Sequence, residues 1–403
     1  MRSVEVVVTG IGLVSALGTS LQTSWQHLIS GKSGIGLHQP FPKLPPLPLA
    51  LIGKQPAELR KLTQLVVASA LSDAGLITPL PECGVVIGSS RSHQAWWEQL
   101  ARQMYGAEGG QGGELFATNE QMVLEHWLDT LPHMIAIACA RQIGSATVPV
   151  LAPMAACATG IWAIAQGFEL IQTGQCQRVI AGAVEAPVTA LTLAGFNQMG
   201  ALAQTGAYPF DLRREGLVLG EGAAVFVLES AELAKCRSAP VYGKVLGFGL
   251  TADGYHSNRP DPGGRSAIAA VKQCLDRSGL CPADIDYIHA HGTATQLNDH
   301  SEAQLIQEVF PQSVPVSSTK GATGHTLGAS GALGMAFCMM ALKHQLLPPC
   351  VGLNEPEFEL DLVSAPRRGE IQHVLCFSFG FGGQNAVVAL GLANWPLLSH
   401  SDK

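Results

Sequence analysis

Apolar positions along the chain follow two spacings that alternate from one end to the other. Short runs rich in β-branched residues predict strands over residues 4–8, 85–87, 179–180, 224–228, 285–288, 374–377 and 386–390. Between them, apolar residues at three- and four-residue intervals predict helices over residues 59–74, 160–173, 266–278 and 331–344. This alternation is typical of an α/β fold in which helices pack against sheets.

The chain is divided by proline- and glycine-rich segments. Near its middle, a helical pattern also gives way to a strand-like one. Residues 38–56, 106–113 and 259–265 are predicted to be loops. A charged helix, AELAKCRSA, ends near Ala239, and a new strand, VYGKVLGFG, follows. We therefore expect an N-terminal half of residues 1–240 and a C-terminal half of residues 241–403. Both halves open with a strand that leads into glycines, VVVTGIG and KVLGFG, which is weak evidence for a duplication.

Composition favours a thick interior. Of 403 residues, 14% are charged and 47% are hydrophobic, and 45 are glycine. The charged fraction is well below the roughly 25% of an ordinary soluble domain. A chain with so few charged residues has much apolar surface that must be buried. We therefore expect a multilayered core and an oligomer.

Charge and hydropathy exclude several classes of protein. The net charge of −7, without a run of Lys or Arg, argues against nucleic-acid binding. The longest uncharged apolar stretch, residues 331–342, is shorter than the roughly 20 residues that span a bilayer. The start, MRSVEVVVTGIG, lacks the features of a secretory signal, so we expect a cytoplasmic protein. The ten cysteines have no CxxC spacing, so neither a metal site nor a disulfide framework is expected.

One cysteine stands where a strand-like run gives way to a helix. The segment VPVLAPMAACATGIWAIAQ places Cys157 just before a helix that begins near Ala158 or Thr159. Unpaired N–H groups and the positive end of the helix dipole favour an anion there, so the pKa of Cys157 is expected to fall by about one unit or more. The same amides could form an oxyanion hole. An inert buried cysteine is the alternative, and this segment alone leaves both open.

Two further segments carry polar residues in apolar surroundings. His291 lies in IDYIHAHGTATQLNDHSEAQ, where a strand is predicted to end at His-Gly-Thr. Lys320 and His325 lie in VPVSSTKGATGHTLGASGALGMAF, a glycine-punctuated loop between a strand and a helix. Each residue alone is more often structural than catalytic. Together with Cys157 they supply a thiolate, two imidazole donors and a cation, which is the set that thioester chemistry requires.

Eight segments carry a resemblance to a known family. In chain order they are VVVTGIGLVSALG, RKLTQLVVASALSDAGL, AACATG, PFDLRREGLVLGEGAAVFVLE, HGTAT, NDHSEAQ, TKGATGHTLGA and SFGFGGQN. The sequence resembles, essentially end to end, the β-ketoacyl-acyl carrier protein synthases, elongating acyltransferases of type II fatty-acid and polyketide systems. The resemblance implies the thiolase fold, with two duplicated halves in five α/β/α/β/α layers, paired as a dimer.

The resemblance also implies roles at the condensing site. Cys157 matches the cysteine that accepts the acyl group, and His291 and His325 match the two histidines that serve decarboxylative Claisen condensation with malonyl-acyl carrier protein. Lys320 matches the lysine beside them. Phe381 matches the gating phenylalanine whose backbone amide joins the oxyanion hole.

Supporting residues and partners follow from the same resemblance. Asp299 and Glu302 match an acidic pair that supports the active site. The implied partner is acyl carrier protein, which brings the phosphopantetheine arm, so no tightly bound cofactor is expected. Because carrier proteins are acidic, we expect a basic patch, with Arg60 and Lys61 as candidates; ordinary surface solvation is the alternative. The implied assembly is a homodimer, with a heterodimer of related subunits as the alternative.

Several positions depart from the family pattern. Ala155, His289, Phe377 and Gln384 differ from the residues usual there, which weakens an assignment to primary fatty-acid synthesis but leaves the catalytic set intact. His289 would share a strand face with His291, and we expect it to be a packed structural residue.

The stretch after Gly88, SSRSHQAWWEQLARQMYGAEGGQGGE, also departs from the family. Trp96 and Trp97 would either line an interface or acyl pocket, or cap a surface helix.

Three other functions compete with a condensing enzyme. A non-catalytic partner subunit similar to chain-length factors would share the fold but typically lacks the nucleophile, whereas Cys157 is present. A nicotinamide-dependent oxidoreductase is disfavoured, because Ser15 occupies the third glycine position of GxGxxG in TGIGLVSALG. A thiolase is closer in fold, but the HGT and TKGATGH segments are more similar to those of the synthases.

Overall fold

The strands and helices alternate along most of the chain. The structure is a computed structural model, and it describes residues 4–105 and 127–393. Within these ranges the strands are β1 (Val6–Ser15), β2 (Gly36–His38), β3 (Leu47–Leu49), β4 (Cys83–Gly88), β5 (Val150–Leu151), β6 (Arg178–Glu185), β7 (Gly222–Ser230), β8 (Gly243–Ala252), β9 (Tyr287–His289), β10 (Pro315–Ser317), β11 (Leu346–Leu347), β12 (Asp361–Leu362), β13 (Arg367–Arg368), β14 (His373–Gly380) and β15 (Gln384–Gly391). The α-helices are α1 (Leu21–Ile29), α2 (Leu59–Asp73), α3 (Gln94–Tyr105), α4 (Met134–Ile143), α5 (Thr159–Gln172), α6 (Ala190–Gln198), α7 (Ala231–Cys236), α8 (Arg265–Ser278), α9 (Gln296–Val309), α10 (Lys320–Thr323) and α11 (Ser330–His344).

The main sheet contains the same arrangement of strands twice. Its strand order is β12-β10-β9-β14-β15-β8-β1-β7-β6-β4-β5. In the N-terminal half, β1, β7 and β6 are antiparallel in turn, and β6, β4 and β5 are parallel. In the C-terminal half, β8, β15, β14, β9 and β10 repeat that order and those directions. The two sets meet where β1 pairs with β8, from Val6 opposite Val245 to Val8 opposite Gly243.

Helices cover both faces of the strand sets and give the layers of the thiolase fold. The apolar faces of α5 and α11 share one core with strands from both halves. Helices α2 and α4 form a second core against the outer face of the N-terminal strands. Helices α8 and α9 do the same against the C-terminal strands. The layers are therefore α, β, α, β, α, with α5 and α11 in the centre.

The two central helices pack unusually closely. A side chain at Gly160 on α5 would place its Cβ 2.6 Å from the backbone N of Ala332 on α11. A side chain at Gly331 would meet Ile161 at 2.7 Å. Residues 330–342 of α11 are all buried, so this helix is apolar around its whole circumference because every side of it packs against protein.

Most predicted elements are confirmed, although several strands are much longer than predicted, including β1 (Val6–Ser15) and β6 (Arg178–Glu185). The four predicted helices correspond to α2, α5, α8 and α11, each within one residue at either end. The prediction of a loop over residues 38–56 is wrong in part. Residues Leu47–Leu49 form β3, which pairs antiparallel with β2, and the side chains of Leu47 and Leu49 are buried. The predicted loop over residues 106–113 lies outside the described residues.

The predicted boundary at residue 240 falls between α7 and β8. Division into two domains there stays a prediction. Among the described residues, no helix combines the length and apolar character needed to cross a membrane.

Candidate active site

Cys157 lies on a tight turn between β5 and α5. The preceding residue, Ala156, has a left-handed φ of +46°, which its small side chain tolerates. Thr159 holds the turn, since its Oγ1 donates to the Ala156 carbonyl at 2.7 Å and accepts from the Ala155 N–H at 2.9 Å. Ser378 on β14 donates to the Cys157 carbonyl at 2.8 Å. The turn, fixed from both halves, places Cys157 in the wall of a cavity of about 370 Å³.

His291 follows β9 by two residues and is held by carboxylates from α9. Glu302 accepts from the backbone N–H groups of His291 at 2.5 Å and Gly292 at 2.7 Å. Asp299 accepts from the N–H groups of Phe210 at 2.8 Å and Ala294 at 3.2 Å. Both acidic residues thus touch backbone and not the cavity thiol, and they fix the turn that carries the imidazole.

His325 and Lys320 come from the segment that joins β10 to α11. The backbone N–H of His325 donates to the Val218 carbonyl at 2.6 Å, so a strand-like segment of the N-terminal half holds this loop. The Nδ1 of His325 lies 2.8 Å from the Oγ of Ser330, which leaves Nε2 for the cavity. Lys320 is buried, and its Nζ donates to the carbonyl oxygen of His291.

The thiol and the two imidazoles meet at one point. One ligand atom from each of Cys157, His291 and His325 lies within 4.8 Å of the other two. The two rings stand edge to face, with centroids 5.3 Å apart and an interplanar angle of 81°. A thiolate and two imidazoles could hold a soft divalent metal ion, and the same three groups suit a thioester substrate. The absence of a metal stays a prediction.

Burial sets the protonation of the thiol. It raises the pKa of Cys157 to about 11, while the charges of Lys320 and Arg91 and the Phe381 N–H act in the opposite direction. The prediction of a lowered pKa for Cys157 is therefore wrong. Only 8% of this residue is exposed, and removing the thiolate from water outweighs the favourable charges around it.

Burial also keeps both imidazoles neutral. It lowers the pKa of His291 and of His325 well below the usual value, and the nearby Lys320 ammonium adds to the effect. A neutral imidazole carries one N–H donor and one acceptor. The Nδ1 of His291 is buried without a hydrogen-bond partner among the described residues, and His291 lines the cavity.

The charged residues behind the imidazoles are also perturbed by burial. Desolvation raises the pKa of Glu302 to about 7 and that of Asp299 to about 6. It lowers the pKa of Lys320, against the pull of Glu302. These groups share one enclosed, low-dielectric region in which each charge strongly affects its neighbours.

Phe381 closes the cavity near the thiol. It directly follows β14, and its backbone N–H is directed at Cys157. Gly380 permits this approach, because a Cβ there would lie 2.9 Å from the Ala155 carbonyl oxygen. The Phe381 ring is 38% exposed and lies against Phe196, with centroids 6.0 Å apart.

The structure does not bring the proposed basic patch to the cavity. Arg60 and Lys61 lie in the first turn of α2 and face Asp129 at 3.8 Å and Glu58 at 2.7 Å. Neither belongs to the cavity wall, which in the described part of the chain includes a different cation, Arg259. A carrier-protein contact at Arg60 and Lys61 stays a prediction.

Two other expectations concern aromatic and histidine side chains near the site. His289 is buried, with Nε2 3.1 Å from the Thr319 Oγ1 and Nδ1 3.8 Å from the Cys376 sulfur, as a packed residue would be. Trp96 and Trp97 lie on α3 with their rings edge to face, 5.3 Å apart, and do not line the described cavity. The remainder of that divergent stretch, residues 106–114, lies outside the described residues.

Sequence reasoning missed a buried carboxylate beside the site. Glu185, at the end of β6, accepts from Ser89 Oγ at 2.7 Å, from the N–H groups of Arg91 and Gly328 at 3.0 Å, and from both the N–H and the Oγ of Ser90 at 2.8 and 2.6 Å. It ties the loop after β4 to the turn before α11. An acidic residue ending an otherwise apolar strand, VIAGAVE, was the available signal.

The fold and the site together define a class, the thiolase-fold enzymes that carry an acyl group on cysteine. Residues 57–234 match the family model for the N-terminal domain of β-ketoacyl synthase, and residues 242–354 match the model for its C-terminal domain. The chain belongs to the β-ketoacyl synthase family.

Similar proteins of known name cover nearly the whole chain. A 3-oxoacyl-[acyl-carrier-protein] synthase 2 of Synechocystis sp. is 33% identical, covering 96% of this chain and 97% of the relative. The synthase 2 of Staphylococcus aureus strain MRSA252 is 30% identical, with 96% and 98% covered.

Solved structures agree with these relatives. A ketosynthase structure described as a type II polyketide synthase acyl-carrier protein in complex with its hexaketide-bound ketosynthase matches with a TM-score of 0.89 at 26% identity, covering 97% of this chain and 100% of that one. A β-ketoacyl synthase from Burkholderia phymatum matches with a TM-score of 0.83 at 28% identity and the same coverage. The predicted family and thiolase fold are confirmed.

Proposed function

We propose that this protein is a 3-oxoacyl-acyl carrier protein synthase that extends an acyl chain by decarboxylative condensation with a malonyl thioester. The observation that carries the proposal is the meeting of Cys157, His291 and His325 within 4.8 Å in one cavity. The names of the relatives support the same reaction.

The first step transfers an acyl group to the enzyme. The sulfur of Cys157 attacks the carbonyl carbon of an acyl thioester, and the thioester bond to the carrier breaks. The proton of the Cys157 thiol passes to the leaving pantetheine thiol, so the exchange needs no outside acid or base. The backbone N–H groups of Cys157 and Phe381 hold the oxyanion of the tetrahedral intermediate.

The second step forms the carbon–carbon bond. The malonyl thioester loses carbon dioxide, and the electron pair of the broken bond gives an enolate whose oxygen accepts hydrogen bonds from neutral His291 and His325. The enolate carbon attacks the acyl carbonyl on Cys157. The Cys157 thiolate leaves and takes a proton from water, which restores the enzyme.

Lys320 and the acidic pair position these groups. Lys320 donates to the carbonyl of His291, and its charge favours the neutral form of both imidazoles. Asp299 and Glu302 hold the backbone that carries His291. We assign them a supporting role because they contact backbone and not the reacting atoms.

The proposal includes partners and location. Acyl carrier protein delivers both substrates on its phosphopantetheine arm, and no tightly bound cofactor takes part. The enzyme works in the cytoplasm as a homodimer, or as a heterodimer with a related subunit. A chain-length-factor-like subunit without activity is the second candidate, and the presence of Cys157 with both imidazoles favours the enzyme.

The test is a two-step assay with purified protein. Acyl-carrier proteins of several chain lengths are added first, and intact mass reports the adduct on Cys157. Malonyl-carrier protein is added next, and both carbon dioxide and the elongated product are measured. We expect an adduct that is absent from Cys157→Ser and carbon dioxide in proportion to product. A protein that binds acyl-carrier protein but forms neither adduct nor product would be the inactive partner subunit.

A further inference from the structure

An arginine that does not line the cavity lies beside Phe196, one of two neighbouring phenylalanines in the cavity wall. The backbone N–H of Arg91, in the loop after β4, donates to Glu185 at 3.0 Å, which fixes where the side chain begins. Its guanidinium carbon lies 5.8 Å from the centre of the Phe196 ring. That ring in turn lies 6.0 Å from the ring of Phe381, whose N–H is directed at Cys157.

These residues form a row that begins at the thiol. Cys157 and Phe196 belong to one apolar cluster, and both line the cavity together with Phe381. Arg91 does not line the cavity, so the phenyl rings separate it from the space described above. Phe196 is almost completely buried, whereas Phe381 is 38% exposed and has room to move. With the Phe381 ring moved aside, an acyl chain attached to Cys157 would extend towards Phe196 and the guanidinium of Arg91.

The surroundings of Arg91 leave its charge available to a ligand. Glu185, which binds the Arg91 backbone, already accepts five hydrogen bonds from the loop after β4 and from Gly328. Glu98 on α3 is engaged by Gln94, Arg102 and the N–H of Leu191. Within residues 4–105 and 127–393, no carboxylate oxygen lies within 4.0 Å of a side-chain nitrogen of Arg91. The field of Arg91 does reach Cys157, where it favours the thiolate.

We propose that Arg91 determines which acyl groups the enzyme accepts, and that it favours acyl groups carrying a carboxylate or keto oxygen over alkyl groups of equal length. An alkyl chain that reaches the guanidinium displaces water from the charge and returns no hydrogen bond. An oxygen acceptor offsets that cost through a charge-assisted hydrogen bond. The inference rests on the proposed function, because it concerns the acyl group on Cys157.

The test compares two six-carbon thioesters of pantetheine, one ending in a carboxylate (adipyl) and one in a methyl group (hexanoyl). Small thioesters remove any contribution from carrier-protein docking. The rate of acylation of Cys157 is followed by intact mass for wild type, Arg91→Met, Arg91→Lys and Arg102→Met. Arg102 is the matched control, since it is an exposed arginine on α3 that pairs with Glu98.

In wild type we expect adipyl to be transferred faster than hexanoyl. Arg91→Met should lower the adipyl-to-hexanoyl ratio by about tenfold or more, which is the typical effect of losing a charged hydrogen bond. Arg91→Lys should retain part of the preference, which shows that the charge and not the fold of the loop is responsible. Arg102→Met should keep the wild-type ratio.

Two results would overturn the inference while leaving the proposed function intact. One is a wild-type preference for hexanoyl, and the other is a ratio that Arg91→Met does not change. Failure of every thioester and every acyl-carrier protein to acylate Cys157 is a different result, and it would overturn the proposed function together with the inference.

Discussion

The two halves of the molecule have the same strand order but contribute different chemistry. In the N-terminal half, the segment before α5 carries the thiol of Cys157. In the C-terminal half, the corresponding segment before α11 carries His325, and the turn after β9 carries His291. The halves meet at α5 and α11, so both helix starts face one cavity. A repeated fold thus places two similar backbone turns together, and in the proposed reaction the thiol comes from one half and the imidazoles from the other.

The segment from Cys157 to the start of α5 is shorter than the segment from His325 to the start of α11. Cys157 precedes α5 by two residues, on a turn held by Thr159. His325 precedes α11 by five residues, with the 3₁₀ turn Leu327–Ala329 between them. The longer segment before α11 places the imidazole of His325 close to the thiol of Cys157. The C-terminal half therefore places its imidazole at the end of a longer connection than the one that carries the thiol.

Removing the thiol of Cys157, which belongs to the N-terminal half, should have the largest effect on activity. Cys157→Ala takes away the atom that carries the acyl group, so we expect no adduct and no elongated product. Intact mass after incubation with acyl-carrier protein measures the first, and mass spectrometry of the product measures the second. Cys236→Ala, which changes an exposed thiol on α7, should behave as wild type. Continued elongation by Cys157→Ala would refute the division of labour between the halves.

Removing one imidazole of the C-terminal half should slow condensation and leave acylation of Cys157 intact. His291→Ala or His325→Ala should slow condensation by about 10²- to 10³-fold, the usual cost of losing one donor to a developing oxyanion. Acylation of Cys157 should survive, because that step uses backbone amides. Release of labelled carbon dioxide and intact mass measure the two steps in one sample. Equal loss of both steps in both variants, with His289→Asn unaffected, would contradict the assignment.

The charge of Lys320 should set how readily the thiol of the other half ionises. Since the thiolate reacts and the pKa of Cys157 is raised to about 11, alkylation by iodoacetamide should accelerate about tenfold per pH unit between pH 7 and 9. Lys320→Met removes a charge that lowers this pKa, so the rising limb should move to higher pH and the rate at pH 8 should fall by roughly tenfold.

Lys235→Met, on exposed α7, is the control for the alkylation experiment. It should leave the profile unchanged. A rate that levels off below pH 8 in wild type would mean that the cysteine ionises far more easily than its burial implies.

The smallest effect concerns the surface of the N-terminal half. Combined Arg60→Glu and Lys61→Glu should raise the KM for acyl-carrier protein by about two- to fivefold, as expected for exposed ion pairs. The KM for a pantetheine thioester should not change. Lys235→Glu reverses one charge elsewhere on the surface, which is half the change of the double variant, and serves as the control. An equal KM for carrier protein in all three proteins would show that the contact lies on another surface.

The elements and residues that could be predicted are those fixed by local sequence. The apolar positions of residues 160–173 and 331–344 predicted α5 and α11 almost to the residue, because α5 buries one broad apolar face and α11 is buried on every side over residues 330–342. Cys157, His291 and His325 lie in short motifs next to strand and helix ends. The types of these three residues and their positions next to strand and helix ends therefore indicate thioester chemistry from the sequence.

What could not be predicted depends on contacts between distant segments. The raised pKa of Cys157 results from enclosure by both halves, whereas the sequence revealed only the helix start next to it. The row from Phe381 through Phe196 to Arg91 joins three segments from different parts of the chain. No local pattern marks such a row. The acidic partner of Arg60 was likewise hidden, since Asp129 is distant in sequence, whereas Glu58 lies only three residues before Lys61.

Division of the site between two halves also sets the order in which it forms during synthesis. His325 follows Cys157 by 168 residues (325 − 157). At about 5 to 20 residues per second, the ribosome adds those residues over roughly 8 to 34 seconds. His291 is added after the first 134 of those residues (291 − 157), Lys320 follows shortly before His325, and the Phe381 amide comes last. The enzyme therefore gains the ability to elongate only after the C-terminal half has been synthesised as far as Phe381.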